Sequence, residues 1–199
     1  MKLDKTKKHH SEQVFESTSC PNDTLIGVQF DACRFVSCDF TGFQFRECEF
    51  IDCEFIDCQL AGAKFGMSRF QEVVFLDCDV SGVDWTLADW SGFVLNAPFS
   101  FKNCHLNQDS FFGLELKSLN MIDCQLRGVD FREAQLEGAD FENSDLVHAI
   151  FAHSDLRLAN FTGTRGVQLD VNNNKLKGAK FERGEAVNLL AFLGIDLVD

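Results

Sequence analysis

Residues 30–75 read FDACRFVSCDFTGFQFRECEFIDCEFIDCQLAGAKFGMSRFQEVVF. Every fifth position from Phe30 to Phe75, here called a centre, is phenylalanine except Leu60. The residue two places before a centre is usually small, and is most often cysteine. A helix would place apolar residues three or four apart, and a plain strand would alternate them along its whole length. A period of five fits neither, and it indicates a solenoid of short strands that are each followed by a turn.

Glycines mark the turns of this repeat. Ten of the fourteen lie two residues after a centre: Gly27, Gly42, Gly62, Gly82, Gly92, Gly113, Gly128, Gly138, Gly163 and Gly178. Glycine accepts the positive φ that a tight turn often requires. The chain therefore turns a corner in every unit, although the period alone is compatible with three or with four corners per coil.

Two later units carry a specific resemblance. Residues 139–143 (ADFEN) and 159–163 (ANFTG) match the A(D/N)LXX pattern of pentapeptide-repeat proteins. The resemblance implies an all-β fold, a right-handed quadrilateral β-helix with about twenty residues per coil, closed here by a short carboxyl-terminal helix. Ala139, Ala159 and Ala179 agree with that coil length, because they recur at intervals of twenty.

The repeat phase predicts the extent of the solenoid. Centres run in fives from Leu25 to Leu95, move by six to Phe101, and then run in fives again to Phe181. Proline cannot donate a ladder hydrogen bond, so we expect a one-residue bulge beside Pro98. The repeats would then form about eight coils and a rod about 38 Å long.

These boundaries divide the chain into three parts. We expect a flexible tail over residues 1–19, a β-helix over 20–183 with its register slip near 96–100, and a helix and strand over 184–199. The tail includes the pair His9 and His10, which we expect to be unstructured. The last part is predicted because the period of five stops at Glu185 and apolar residues then recur at helical spacing to Leu193. We expect a short final strand over residues 196–198.

The charge of the chain restricts its partners. Its 18 basic and 31 acidic residues give a formal net charge of −13, which argues against nucleic acid or an anionic membrane as the partner. A basic protein surface is favoured, with simple solubility as the alternative explanation. The sequence contains no stretch typical of a signal peptide or a membrane span, so we expect a cytoplasmic protein.

The sequence contains no recognisable catalytic, cofactor-binding or metal-binding motif. Eight of the nine cysteines lie in the small slot before a centre: Cys33, Cys38, Cys48, Cys53, Cys58, Cys78, Cys104 and Cys124. Because alanine, serine and valine take the same slot in other units, we expect these cysteines to pack as small buried side chains rather than to bind metal. We therefore predict a protein that is not an enzyme.

The end of the chain resembles the Qnr-type quinolone-resistance and albicidin-resistance subgroup, in which Leu-Leu-x-x-Leu-Gly-Ile closes the chain. The matching run here is Leu189 to Ile195. The resemblance implies a DNA mimic that binds DNA gyrase or topoisomerase IV. Surplus apolar residues in the same segment predict a homodimer joined through Ala186, Leu189, Leu190, Phe192, Leu193, Ile195 and Leu197.

Acidic residues at outward positions are the candidates for the topoisomerase-binding surface. We predict that this surface contains Asp39, Asp52, Asp57, Glu72, Asp77, Asp79, Asp84, Asp89, Asp130, Asp140, Asp145 and Asp155. Many of them precede a centre, where aspartate is also favoured because it hydrogen-bonds turn backbone. A non-catalytic interaction rod with no topoisomerase target is the alternative, and it predicts an even scatter of acidic residues around the rod.

Overall fold

A computed structural model describes residues 6–92 and 97–195 of the chain. The fold is a right-handed, four-sided β-helix of about eight turns, closed by one short helix. Strands in successive turns pair in parallel, and equivalent residues are twenty apart, as in the pairing of Phe35 with Phe55. The expected all-β quadrilateral solenoid is confirmed.

The described residues form fourteen short strands and three helical segments. The strands are β1 (His9–Ser11), β2 (Val14–Glu16), β3 (Thr24–Ile26), β4 (Gln29–Asp31), β5 (Arg34–Val36), β6 (Gln44–Arg46), β7 (Glu49–Ile51), β8 (Glu54–Ile56), β9 (Arg69–Gln71), β10 (Val73–Leu76), β11 (Phe99–Lys102), β12 (Met121–Ile122), β13 (Asn160–Phe161) and β14 (Lys180–Phe181). The helical segments are a 3-10 turn at Trp85–Leu87, α1 at Arg183–Leu189 and a 3-10 turn at Leu190–Leu193.

The chain visits four faces in a fixed order. Face 1 contains β1, β4, β7 and β9, and face 2 contains β2, β5, β8, β10, β11 and β12. Face 3 is a ladder of single bridges that begins with Ser19 and Asp39 and ends with Asp145 and Arg165. Face 4 begins with β3 and β6 and continues through bridges of the same kind.

Stacked phenylalanines fill the interior. Phe55 lies between Phe35 and Phe75, with ring centroids 4.6 and 4.9 Å away. The eight cysteines of the small slot are buried and free, as the packing interpretation predicts. Their thiols donate to backbone carbonyls, and Cys58 Sγ for example lies 3.3 Å from the carbonyl oxygen of Phe35. Burial raises the pKa of the Cys124 thiol to about 12.

The β-helix begins earlier than the expected boundary at Cys20. Strands β1 and β2 already pair with the next turn, which places residues 9–16 within the solenoid and not in a flexible tail. His10 acts as a centre because its ring, 1% exposed, stacks on Phe30 at 5.2 Å. Phe15 is fully buried and stacks on Phe35 at 5.0 Å.

The register shift at Pro98 is larger than the expected single residue. Phe75 pairs with Phe101 and Asp84 with Ser110, so equivalent residues are 26 apart across this turn. Six extra residues therefore enter between Trp90 and Phe101. Residues 93–96, which include the predicted centre Leu95, lie outside the described residues.

The carboxyl-terminal helix is present, although it differs in form from the prediction. One α-helical segment, α1, is followed at once by a 3-10 turn, where the spacing had predicted one helix from Glu185 to Leu193. Phe181, stacked on Phe161 at 4.7 Å, is the last aromatic ring of the stack. The strand predicted over residues 196–198 lies outside the described residues. Within the described ranges, no helix is long and apolar enough to cross a membrane.

Candidate protein-binding surface

The corners of the β-helix differ from one edge of the rod to another. The residue two places after each centre adopts positive φ in nearly every described unit. Between faces 3 and 4 this corner holds Asn22, Gly42, Gly62 and Gly82. Between faces 1 and 2 it holds Glu12, Ala32, Asp52 and Glu72, and between faces 2 and 3 it holds Ser17, Ser37, Asp57 and Asp77.

Negative charge is concentrated on two adjacent faces of the amino-terminal half. Ten carboxylates lie on faces 1 and 2 of this half, and we call them the acidic edge: Glu12, Glu16, Asp31, Glu49, Asp52, Glu54, Asp57, Glu72, Asp77 and Asp89. Arg34 and Arg69 are the basic residues in the strands and corners of the same two faces. Residues 6–92 contain fifteen acidic and six basic residues, whereas residues 97–195 contain thirteen and ten.

Five of the twelve predicted surface residues belong to the acidic edge, and seven do not. Asp52, Asp57, Glu72, Asp77 and Asp89 lie on it. Of the others, Asp39, Asp79 and Asp145 lie on face 3, Asp84 and Asp130 on face 4, Asp140 on face 2 and Asp155 on face 1, the last two in the carboxyl-terminal half. The structure therefore does not bring all twelve residues together.

Several predicted residues away from the acidic edge are neutralised within the chain. Asp145 is buried between Arg127 and Arg165, at 2.6 and 2.8 Å. Asp155, also buried, accepts from Arg157 at 2.8 Å and from Lys175 at 3.3 Å. Hydrogen bonds from Arg157 lower the pKa of the Asp155 carboxyl to about 2. These carboxylates already have partners within the chain and are less available to an external one.

Carboxylates stacked on the acidic edge have partners that reduce their repulsion. Asp57 and Asp77 occupy the same corner in successive turns, an arrangement that costs stability if both are left unpaired. The Ser37 hydroxyl donates to Asp57 at 2.8 Å, and the Asn103 amide donates to Asp77 at 2.5 Å. Both neighbours are neutral, so the hydrogen bonds leave the two charges in place.

Five members of the acidic edge were missed by the sequence-based selection. Glu12 and Glu16 lie in the predicted tail, and Asp31 directly follows a centre. Glu49 and Glu54 directly precede a centre, but only aspartates are predicted at that position. A usable signal was present, because sorting the acidic residues by position within a twenty-residue coil collects them on two faces.

The six-residue insertion adjoins a shallow hollow. A space of about 100 Å³ lies beside Trp90 and Pro98, and the Arg69–Asp89 salt bridge, 2.6 Å long, forms part of its wall. Beneath this turn, Asp109 is 1% exposed and accepts from the Trp85 indole at 2.9 Å. Burial raises the pKa of Asp109 well above its usual value.

Apolar side chains are exposed at the carboxyl-terminal end. Among the predicted dimerisation residues, Phe192, Leu193 and Ile195 are 42–49% exposed, Ala186 and Leu190 are half-buried, and Leu189 is buried. Val187, one of the surplus apolar residues of the same helix, is 40% exposed. Leu197 lies outside the described residues. This end of the rod therefore has an apolar surface that is partly uncovered.

Two family models match the sequence. The model of the pentapeptide repeat region matches residues 28–97, and the model of eight pentapeptide repeats matches residues 124–163. Together they account for more than half of the chain. The chain belongs to the pentapeptide-repeat family.

Solved pentapeptide-repeat structures resemble this chain to different degrees. A trypsin-treated variant of QnrB1, a plasmid-mediated fluoroquinolone resistance protein, is 20% identical with a TM-score of 0.62, over 97% of this chain and all of that chain. Full-length QnrB1 is 19% identical with a TM-score of 0.48, over 94% of this chain and all of that one. HetL of the cyanobacterium Nostoc sp. strain PCC 7120, involved in regulating heterocyst differentiation, is 17% identical with a TM-score of 0.36, over 87% and 89% of the two chains.

At 20% identity, the likeness to trypsin-treated QnrB1 shows a shared fold, but it does not show a shared binding partner. The other two are too weak to add to it. Among curated proteins, no sequence matches this chain significantly. In the described part of the chain, no three histidine, cysteine, aspartate or glutamate side chains are grouped to hold a metal ion.

Proposed function

We propose that this pentapeptide-repeat protein is a non-catalytic, cytoplasmic DNA mimic that binds a bacterial type II topoisomerase, either DNA gyrase or topoisomerase IV. Binding would modulate the enzyme or protect it from inhibitors such as quinolones or albicidin. The observation that carries the proposal is the acidic edge, because a basic DNA-binding groove is complementary to a rigid row of carboxylates. The fold likeness to QnrB1 supports the choice of target.

The charge density of the acidic edge is close to that of DNA. The edge extends over about four turns of the rod, which is about 19 Å at the spacing of neighbouring strands. Duplex DNA of that length carries about 11 negative charges. Ten carboxylates and two arginines give the edge a net charge of −8. This match is closer than that of the rod as a whole, because the carboxyl-terminal half is nearly neutral.

The backbone conformation also favours a role for these carboxylates outside folding. Asp52 and Glu72 adopt φ values of 51° and 52°, which cost an L-residue about 1–2 kcal/mol. Glycine avoids this cost, and it occupies the corner between faces 3 and 4 in three successive turns, as at Gly62. Neutral residues such as Ala32 and Ser37 adopt the same conformation, so the backbone does not require acidic side chains at these corners, and their charge is left to be explained by binding.

The test is a supercoiling assay with purified gyrase and topoisomerase IV, with and without a quinolone, together with a binding measurement at several salt concentrations. The edge variant combines Asp52→Asn, Asp57→Asn, Glu72→Gln and Asp77→Asn. The control variant removes the same charge elsewhere with Asp39→Asn, Asp79→Asn, Asp84→Asn and Asp140→Asn. We expect the edge variant to bind more weakly and with a smaller salt dependence, and the control variant to bind like the native protein.

Equal loss of binding in both variants would indicate that total charge matters and not the acidic edge, which would contradict mimicry by this surface. Absence of binding by the native protein at low salt would contradict the topoisomerase target. That result would favour the second candidate, an interaction rod with an unrelated partner. The scatter of seven predicted carboxylates outside the acidic edge, including the internally paired Asp145 and Asp155, supports this second candidate.

We further propose that the protein is a homodimer joined through its carboxyl-terminal end. Val187, Phe192, Leu193 and Ile195 are each at least 40% exposed, and a two-fold axis would bury them reciprocally. Light scattering should give about twice the chain mass of 22.4 kDa. Phe192→Ser combined with Leu193→Ser should give the monomer, whereas Phe112→Ser, at an exposed phenylalanine on face 4, should leave the dimer intact. A native monomer at micromolar concentration would refute this assembly.

A further inference from the structure

Face 2 of the amino-terminal half carries a row of outward-facing aliphatic side chains. Val36, Ile56 and Leu76 occupy the same position in successive turns, as the strand register shows. They are half-buried by one another, and Val74 beside Leu76 is 40% exposed. We call Val36, Ile56, Val74 and Leu76 the aliphatic strip.

The strip has defined ends and defined borders. Its row of side chains ends at Glu16 on one side and at Lys102 on the other, which occupy the same position in the adjoining turns. Carboxylates at two corners border its Ile56 and Leu76 turns, whereas Ala32 and Ser37 occupy those corners beside Val36. Asp52 and Glu72 lie in the row between faces 1 and 2, and Asp57 and Asp77 lie in the row between faces 2 and 3. The Arg34–Glu54 salt bridge, 2.8 Å long, lies on the same face between the row of Val36 and Ile56 and the first corner row.

The β-helix itself does not require aliphatic residues here. The same outward position on face 3 is taken by Thr41, Ala61 and Ser81 in the same turns. Exposed aliphatic surface costs solvation free energy and is uncommon at polar surfaces without a partner. DNA mimicry does not explain the strip either, because a mimic of the phosphate backbone needs charge and not aliphatic groups.

The charges around the strip restrict what can cover it. A second copy of this chain would bring its own acidic edge against Asp52, Glu72, Asp57 and Asp77. Nucleic acid and anionic lipid would meet the same repulsion. The complementary surface is apolar along its middle and basic along both sides, which is the pattern of a cationic amphipathic helix.

We propose that the aliphatic strip binds a cationic amphipathic helix of a partner protein, laid along the rod axis. Val36 and Leu76 are two strand spacings apart, about 10 Å, and two helical turns span about 11 Å. Apolar residues at i, i+4 and i+7 of the helix contact the strip, while lysine or arginine on either side reaches the carboxylates of the two corner rows. The proposal rests on the acidic edge as a binding surface, but not on a topoisomerase as the partner.

The test uses the full-length protein and two synthetic peptides, so it is independent of any topoisomerase. One fourteen-residue peptide of leucine and lysine places its leucines along one helical face. The other has the same composition with its leucines distributed around the helix. We expect calorimetry to show binding of the first peptide about tenfold tighter than the second, and circular dichroism to show that it becomes helical.

Matched variants locate the binding surface. Ile56→Thr combined with Leu76→Thr places β-branched threonine in both strands and should weaken binding of the first peptide by about tenfold or more. Ile26→Thr combined with Ile150→Thr removes two exposed isoleucines from face 4 and should leave it unchanged. If the first pair prevents folding, Val74→Thr alone should weaken the binding measurably.

Two outcomes would overturn the inference. Equal affinity for the two peptides would mean that charge alone attracts them. Loss of binding in the face 4 variant, with the strip variant unaffected, would place the site elsewhere. A negative topoisomerase assay would not change the interpretation of either result, because the peptide assay contains no topoisomerase.

Discussion

Replacing Phe55 by alanine tests whether stacked rings stabilise the rod. Phe55 is fully buried, and its ring is nearly parallel to those of Phe35 and Phe75, at interplanar angles of 10° and 9°. The substitution removes the ring from between two neighbours that belong to separate turns. Backbone ladders on both sides fix those turns, so they cannot collapse into the space, and a cavity remains.

The expected loss is about 4 kcal/mol in the free energy of unfolding, which is typical of a phenylalanine truncated in a close-packed core. For a protein of this size the melting temperature should fall by about 10 °C. Guanidinium unfolding followed by far-ultraviolet circular dichroism measures the free energy. Phe112→Ala is the matched control, because Phe112 is 42% exposed and should cost less than about 1 kcal/mol.

A loss in Phe55→Ala within about 1 kcal/mol of the Phe112→Ala loss would refute this reasoning. It would mean that the turns repack around the missing ring, and that the core is not a rigid column. A large loss in both variants would instead indicate that the outward ring of Phe112, over which Arg132 lies at 5.5 Å, contributes more than its exposure suggests.

Three further measurements follow from the buried polar groups. Burial raises the pKa of Asp109, so the free energy of unfolding should fall as pH rises from about 4 through that raised value. Asp109→Asn should remove this dependence, as measured by denaturation at a series of pH values from 4 to 9. The pKa of Asp155 is lowered to about 2, so its contribution to the free energy of unfolding should be present above about pH 4 and be lost towards pH 2. In Asp155→Asn the free energy of unfolding should vary less with pH across that window. A stability that is unchanged by pH in either window would contradict the corresponding assignment. All nine thiols should be free, with half-buried Cys20 reacting in the folded protein and the eight buried ones only after unfolding; rapid reaction of all nine in the folded state would contradict their burial.

The fold was predictable because its signal is local and repeated. Each unit shows its own centre, small slot and corner, so errors in one unit do not affect the others. His10 was missed because imidazole is not usually counted as a core residue, although its ring stacks on Phe30 as a phenylalanine would. The consequence was a boundary placed eleven residues too late, since β1 begins at His9.

The size of the insertion was not predictable from the period alone. Shifts of one and of six residues leave the same phase of five, and Leu95 offered an apolar residue at the place where one more centre would fall. The two differ only in the pairing between turns, where Phe75 lies beside Phe101. The acidic edge was missed for a different reason. Its carboxylates collect on two faces only when they are sorted by position in the twenty-residue coil and not by position in the five-residue unit.

The two halves of the rod use carboxylates differently, and this difference bears on how a dimer would bind. In the carboxyl-terminal half Asp145 and Asp155 are buried in salt bridges that stabilise the turns. In the amino-terminal half Asp52 and Glu72 remain exposed at strained corners. A dimer joined through the carboxyl-terminal ends would separate its two acidic edges by eight turns, about 38 Å, in addition to the helices between them. A partner with two-fold symmetry could then contact both edges at once. The affinity of such a partner should fall when the dimer is split, even though each acidic edge is intact. The two edges then bind as separate molecules, and the second binding event is no longer intramolecular.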